Sequence, residues 1–295
     1  MSTHKSGFVN IIGNPNVGKS TLMNAFVGEK LSIITSKAQT TRHRILGIVN
    51  GENFQVILSD TPGIIKPAYE LQSSMMDFVK SAFDDADILI YMVEIGETTL
   101  KDNSFFEKIT NTKIPVLLLI NKIDTSSQEV LEEQVTFWRE KVPNAEIYPT
   151  SALKNFNVQE IFNRIIDLLP EAPPFYPKDQ LTDKPERFFV NETIREKILL
   201  NYKKEIPYAV EVATEEFLEE KDIIRIRSVI MVERDTQKGI IIGHKGSALK
   251  RVGVQTRKDL EKFFGKQIHI ELYVKVNKNW RSNPNQLRRF GYSSK

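Results

Sequence analysis

The sequence predicts an α/β chain in two parts: a doubly wound sheet domain, then a smaller α+β domain. Three observations carry this. Continuous apolar runs at 87–93 and 116–120 suit strands buried on both faces of a parallel sheet, and they alternate with segments of helical period. Four prolines in Pro170-Glu171-Ala172-Pro173-Pro174-Phe175-Tyr176-Pro177 then break the pattern, since they can continue neither a helix nor a central strand. Beyond them the element order changes to helix, two β-like runs, a glycine-flanked turn, helix and strand. At 295 residues both parts can bury a core. The expected boundaries are 1–170, a stiff extended linker over 171–186, and 187–295.

In order, Phe8-Val9-Asn10-Ile11-Ile12 reads as a buried strand, and 21–26 has a helical pattern. Residues 30–42 show no sustained period and read as a loop. Runs 44–50 and 53–59, joined by Gly51-Glu52, are strands. A helix is expected over 102–110. Another is expected over 128–141, where Val130, Leu131, Val135 and Trp138 fall at helical spacing. Ile147-Tyr148 ends a short strand, and 158–169 is a closing helix. In the second part, a helix is expected at 189–202, β-like runs at 209–218 and 223–233, a helix at 247–264 and a strand at 267–276. The tail 277–295 has little period. It is open between a surface for a polyanion and a packed strand with a solvated end. No internal repeat is present.

Composition narrows the chemistry. There is no cysteine, which excludes disulfides and thiolate metal sites. His4, His43, His244 and His269 lack ligand spacing. No signal peptide or membrane-length apolar run is read, so a cytoplasmic location is expected. Residues 239–295 hold 13 Lys and Arg against 3 Asp and Glu, a local +10 in a chain of net +3, which leaves the rest at −7. A basic end on an acidic body suits a polyanionic partner.

Gly13-Asn14-Pro15-Asn16-Val17-Gly18-Lys19-Ser20 fits G-x-x-x-x-G-K-[ST] without mismatch, between the first strand and a helix beginning Thr21-Leu22. Its backbone N–H groups and the helix N-terminus would cradle phosphate. Gly13 and Gly18 permit that turn, with Asn14, Asn16 and Val17 completing it. Lys19 would reach the β- and γ-phosphates, and Ser20 would ligate Mg²⁺. Asp60-Thr61-Pro62-Gly63 puts a carboxylate near that ion and the Gly63 N–H at the γ-phosphate. In Asn121-Lys122-Ile123-Asp124, the Asp124 carboxylate can accept both N1–H and the exocyclic amine of guanine, a donor pair that adenine lacks. The local alternative for this segment is a helix cap. Lys122 would lie along the base and Asn121 would tie loops together. Ser151-Ala152-Leu153 resembles the loop whose backbone amide meets guanine O6. Thr41, preferred to Thr40, would ligate Mg²⁺ and sense the γ-phosphate. Lys19, Thr41 and Gly63 are the expected catalytic set, and the loops 35–42 and 64–74 are expected to order with GTP. Ile64 stands where many such GTPases carry a water-orienting glutamine, so unaided hydrolysis should be slow. Asn16 is open between a turn residue and a ligand for a monovalent cation such as K⁺.

In the second part, Gly243-His244-Lys245-Gly246 follows an apolar lead-in and precedes Lys250-Arg251 on a basic helix. In a KH module such a G-x-x-G presses on the backbone of about four single-stranded nucleotides while a groove reads base edges. Lys250 and Arg251 would add charge attraction. A plain glycine turn before a surface helix is the local alternative.

Both motif sets, in one order over nearly the whole chain, resemble the bacterial Era family. The resemblance implies a phosphate-loop GTPase domain with a type II KH domain, binding the 3′ end of 16S rRNA and assisting 30S subunit maturation. It also implies cytoplasmic location with some peripheral inner-membrane association, although the sequence shows no membrane-binding helix. A monomer is expected. A single phosphate loop and the missing cysteine set the chain apart from related GTPases with two G domains or a C-terminal cysteine. Two rival readings are a switch docking on acidic lipid or protein without RNA, and a metabolic phosphate-loop kinase. Asn121-Lys122-Ile123-Asp124 argues against the kinase.

Overall fold

A computed structural model describes residues 4–292. The chain divides into two compact units: the first holds the residues through Ala68 and Gln72–Asp183, and the second holds those from Lys184 together with Tyr69–Leu71, where the helix Glu70–Asp84 of the sheet domain begins. In the first unit the apolar runs become strands and the periodic segments become helices. The order is β1 (Lys5–Ile12), α1 (Lys19–Val27), β2 (Ile45–Asn50), β3 (Phe54–Asp60), α2 (Glu70–Asp84), β4 (Ile88–Glu94), α3 (Asn103–Asn111), β5 (Val116–Asn121), α4 (Gln128–Lys141), β6 (Ala145–Pro149) and α5 (Val158–Leu168). The sheet order is β2-β3-β1-β4-β5-β6. All neighbours are parallel except β2, which pairs antiparallel with β3. Residues 88–93 and 116–121 are buried at every position, as central strands covered on both faces must be. The chain leaves β1 toward opposite edges of the sheet, through β3 and through β4. The crevice at the C-terminal end of β1 is therefore the switch point where such sheets bind ligands. The phosphate loop opens there.

Two expectations need correction. The helix α2 starts at Glu70, so the second mobile loop is shorter than the expected 64–74. Leu71, Met75, Val79 and Ala82 repeat at helical spacing and are all buried, a signal the sequence reading passed over. The stretch 171–186, expected as an extended linker, lies through residue 183 along β2 and its neighbours as a strap. Ile48 N donates to Leu181 O (2.8 Å). Thr182 Oγ1 donates to Leu46 O (2.7 Å), and Leu46 N donates to Asp183 Oδ1 (3.0 Å). Gln55 receives the amides of Phe175 and Tyr176 and donates to Tyr176 O. Pro173, Pro174 and Pro177 bring no N–H to the strap, and Gln55, buried on β3, satisfies amides that remain between them.

The second unit runs α6 (Glu186–Asn201), β7 (Glu211–Glu219), β8 (Ile223–Val232), α7 (Asp235–Ile242), α8 (Ser247–Phe264) and β9 (Gln267–Val276). The sheet order is β7-β8-β9, antiparallel then parallel. Alternating burial along β8 puts Ile224 and Ile226 against a core with Ile194, Ile198, Val252 and Leu260 from the helices. Through residue 292 the tail forms neither a strand nor a loose end; residues 293–295 lie outside the described residues. A 3₁₀ turn (Trp280–Ser282) leads into α9 (Pro284–Arg289), which Asn283 caps by accepting from the amides of Asn285 and Gln286. Trp280 is fully buried, and its indole N–H donates to Ala209 O (3.1 Å). Phe290 packs edge-on against it, and the Tyr292 hydroxyl donates to Glu211 (2.6 Å). Trp280→Ala should therefore cost about 3–5 kcal/mol in the second unit. A lowered urea midpoint in circular dichroism would measure it, and an unshifted midpoint would contradict this packing.

Candidate functional site

Five segments distant in sequence meet in one cavity of about 610 Å³ in the first unit. The phosphate loop contributes Asn16, Gly18, Lys19, Ser20 and Thr21. Thr40, Thr41 and Gly63 line one side; Asn121, Lys122, Asp124, Ser151 and Leu153 line the other.

At the phosphate end, Gly18 caps α1 with φ 108°, and a Cβ there would lie 2.2 Å from Asn121 Nδ2. The Lys19 ammonium donates to the carbonyls of Gly13 (3.1 Å) and Asn14 (2.9 Å). Burial pulls its pKa down to about 8, opposed by the negative charges of Asp60 and Glu97. An incoming phosphate restores the partner that burial removes.

Ser20, Thr41 and Asp60 converge as the sequence predicts. Ser20 Oγ donates to Asp60 Oδ2 (2.7 Å) and lies 3.0 Å from Thr41 Oγ1, which reaches the same carboxylate oxygen (3.3 Å). Asp60 Oδ1 is buried without a hydrogen-bond partner. Burial pushes this carboxyl up, opposed by hydrogen bonds from Ser20, Ser32 and Thr41 and by the Lys19 charge. Two hydroxyls and a carboxylate with an unused oxygen form a hard-oxygen donor set that fits Mg²⁺. No cluster of three or more His, Cys, Asp or Glu suited to a metal occurs among the described residues.

At the base end, Asn121 Nδ2 donates to Val17 O (2.7 Å) and its Oδ1 accepts from Ala152 N (2.9 Å). Val17 and Ala152 therefore serve from behind the cavity wall. Asp124 Oδ1 accepts from Ser151 Oγ (2.6 Å), which fixes the carboxylate at the cavity wall. Lys122, at φ 64°, pairs with Glu94 (2.7 Å). Gly13, Asn14 and Asp60 also stand behind the lining. The Asn14 side chain turns away from the cavity, toward Thr99 O (2.9 Å) and Lys101 N (3.1 Å). Asn16 Nδ2 donates to Ser36 O (3.0 Å), fastening the phosphate loop to the loop that carries Thr41. Ile64 is fully buried, and its amide donates to Gly13 O (3.1 Å). Sequence reasoning missed Ile33, Ile34 and Glu94, which also line the cavity. The Ile33-Ile34 pair in an otherwise polar loop was the available signal.

In the second unit, Gly243-His244-Lys245-Gly246 joins α7 to α8. Gly243 has φ 72°, and a Cβ on it would stand 2.6 Å from that of Ala248. His244 and Lys245 are exposed at the tip, and Lys250 and Arg251 are exposed one turn into α8. Beside this loop a groove of about 400 Å³ runs between α8 and β9. Gly246, Lys250, Val254 and Arg257 line one wall, and Ile268, Ile270 and Leu272 the other. β9 is an edge strand among the described residues, paired with β8 alone, so its other edge offers backbone groups without a strand partner. Apolar walls, a free strand edge and flanking cations suit single-stranded nucleic acid. The sequence reading found the loop and missed the groove. Leu249, Gly253 and Arg257 repeat every four residues along α8, which was its trace.

Comparisons with known proteins agree with this geometry. Residues 8–122 match the family described as 50S ribosome-binding GTPase, and residues 205–281 match the KH domain. The chain is 43% identical over 294 residues to the GTPase Era of Staphylococcus haemolyticus, covering 99% of this chain and 98% of that one. It is 42% identical over 294 residues to the GTPase Era of Staphylococcus epidermidis, at the same coverage. A solved Era in complex with MgGDPNP and nucleotides 1506–1542 of 16S ribosomal RNA superposes with a TM-score of 0.94 at 38% identity, covering 99% of this chain and 100% of that one. A single-residue variant of Aquifex aeolicus Era bound to GDP·AlF4⁻ gives a TM-score of 0.94 at 38% identity, covering 98% of this chain and 100% of that one.

Base recognition through Asp124 is directly testable. In Asp124→Asn the side chain keeps an acceptor for Ser151 but presents N–H where guanine presents its amine. GTP affinity should fall at least about 100-fold, while xanthosine triphosphate, with an oxygen at that position, should gain. Unchanged GTP affinity in a calorimetric titration would contradict the assignment.

Proposed function

The chain belongs to the Era family of GTPases, and from that premise we propose that it grips the 3′ end of 16S rRNA during 30S subunit maturation, with GTP binding and hydrolysis timing the grip. The observation that carries this reading is the α8–β9 groove beside Gly243-His244-Lys245-Gly246 on the same chain as the guanine cavity. A family relative solved with a 16S rRNA fragment and MgGDPNP supports both ligands. This reading takes the protein to act as a monomer. The same reading puts the protein in the cytoplasm with its RNA. No helix among the described residues is long and apolar enough to cross a membrane.

The residues divide the work as follows. Asp124 reads the base, and Asn121 holds the base and phosphate loops in register. Lys19 and the N-terminus of α1 stabilise charge on the β- and γ-phosphates. Ser20, Thr41 and Asp60 would hold Mg²⁺, which neutralises phosphate charge when bound. Thr41 and Gly63 would respond to the γ-phosphate. Ile64 offers no side-chain hydrogen bond to a water, so intrinsic hydrolysis rests on charge stabilisation and is slow. The loop carrying Thr41 runs directly into β2, and β2 is hydrogen-bonded to the strap ending at Asp183. Ordering of that loop by GTP thus has a covalent and hydrogen-bonded route to the start of the second unit.

Full-length protein titrated with a labelled RNA of nucleotides 1506–1542 tests the grip. GTP analogue and GDP should give affinities differing at least about fivefold. Paired Lys245→Glu and Lys250→Glu should weaken binding about tenfold or more and flatten its salt dependence. Equal affinity in both nucleotide states would remove the coupling, and equal competition by anionic vesicles would return the basic domain to a lipid role. We further propose that Asn16 and backbone carbonyls of the Thr35–Thr40 loop hold K⁺ beside the phosphates, supported by the Asn16–Ser36 contact. Turnover should then be faster in K⁺ than in Na⁺ buffer, and equal rates would discard the site.

A further inference from the structure

The loop between β4 and α3 lies outside every motif read from the sequence, yet it holds the phosphate loop by its second residue. Asn14 is only 6% exposed, and its side chain hydrogen-bonds to three residues of this loop. Its Nδ2 donates to the Glu97 carboxylate and to Thr99 O (2.9 Å), and its Oδ1 accepts from Lys101 N (3.1 Å). Both amide protons are used, so the side chain is fixed in orientation.

The loop is itself anchored. Glu97 Oε2 accepts from Glu94 N (3.0 Å), and Glu97 N donates to Glu94 O (2.9 Å). From α4, buried Gln134 accepts from Gly96 N (2.9 Å) and donates to Glu97 O. Burial pushes the Glu97 carboxyl up, a cost tolerated because amides and the nearby positive charges of Lys19 and Lys101 surround it. The backbone carbonyl of Asn14, the residue Glu97 grips, also receives the Lys19 ammonium (2.9 Å). Two routes therefore run from Glu97 to the phosphate-binding lysine: one through the Asn14 amide and backbone, the other through space.

We infer that Glu97 is a positioning residue of the nucleotide site, setting through Asn14 the conformation of the phosphate loop and the place of Lys19. It touches no phosphate itself. The β-phosphate cradle is shared by GTP and GDP, so Glu97 acts on the binding of both nucleotides alike. The inference rests on guanine-nucleotide binding by this chain, and the experiment separates the two.

Full-length wild type, Glu97→Ala, Glu97→Gln, Asn14→Ala and the Glu97→Ala/Asn14→Ala double variant are compared by Kd for GDP and for a GTP analogue, by kcat, and by Tm without nucleotide. Glu97→Ala should weaken both nucleotides about tenfold, as for one charge-assisted hydrogen bond, and lower kcat with them because Lys19 is displaced. Glu97→Gln keeps one acceptor for Asn14 but turns its NH2 toward the Glu94 amide, so it should recover only part of the loss and fall between wild type and Glu97→Ala. Asn14→Ala should match Glu97→Ala, and the double variant should lose little more, because both act along one path. Glu97→Ala binding within about twofold of wild type, additive single losses, or Glu97→Gln as weak as Glu97→Ala would each overturn the assignment. A binding loss accompanied by a Tm below the assay temperature in Glu97→Ala and Glu97→Gln alike would overturn it too, since the role would then be structural. Wild type that fails to bind GDP would instead remove the nucleotide reading on which the inference stands.

Discussion

Asn121, buried at the end of β5, spends one amide proton on Val17 O and its oxygen on Ala152 N, and in doing so joins three loops that are far apart in sequence. Strand ends deliver these loops to the same crevice, but a strand end fixes position only to within the freedom of the loop that follows. The amide removes that freedom. A buried amide with its partners in place is strongly oriented, and one left without them bears the full cost of desolvation. Either the phosphate loop, the Asn121–Asp124 segment and the Ser151 loop all sit correctly, or several buried polar groups lose their partners together. The absence of a Cβ on Gly18 is part of the same constraint, because the Asn121 side chain occupies that space.

Around this tie the site stores unfavourable electrostatics for its ligand. Burial works against the charged form of both Lys19 and Asp60, and the two offset one another only in part. Groups held in such a state need little rearrangement to meet a phosphate or a divalent cation, which is how preorganised charge differs from charge in water. The cost falls on the empty site and is relieved on binding. Marginal local order in the nucleotide-free protein is the expected companion of tight binding.

Much of this was legible in the sequence, for a physical reason. Phosphate and guanine recognition use backbone N–H groups and short side chains at fixed offsets, so Gly13 to Ser20 and Asn121 to Asp124 leave a local pattern. Binary patterning likewise gave α4 and β9 at their observed bounds. What escaped depends on contacts between distant segments. Gln55 binding the strap, Glu97 binding Asn14 and the pairing of α8 with β9 into a groove have no local period. Trp280 is the plainest case: aromatic residues in a basic tail have the composition of an RNA surface, and only the carbonyl of Ala209 waiting for its indole decides for the core. The helix α2 was different, since its buried heptad-like spacing was there to be read.

The strap along β2 also defines what counts as a self-sufficient piece of this chain. An antiparallel strand at a sheet border, with its outer amides and carbonyls open, is a template for another copy of itself. Here Leu46 and Ile48 find their outer partners in residues 181–183, beyond the closing helix of their own sheet. Trimming the first unit at its last helix would therefore do more than discard a connector. It would uncover a sticky border and invite filaments or exchanged strands, whereas a cut after Asp183 leaves the seam closed.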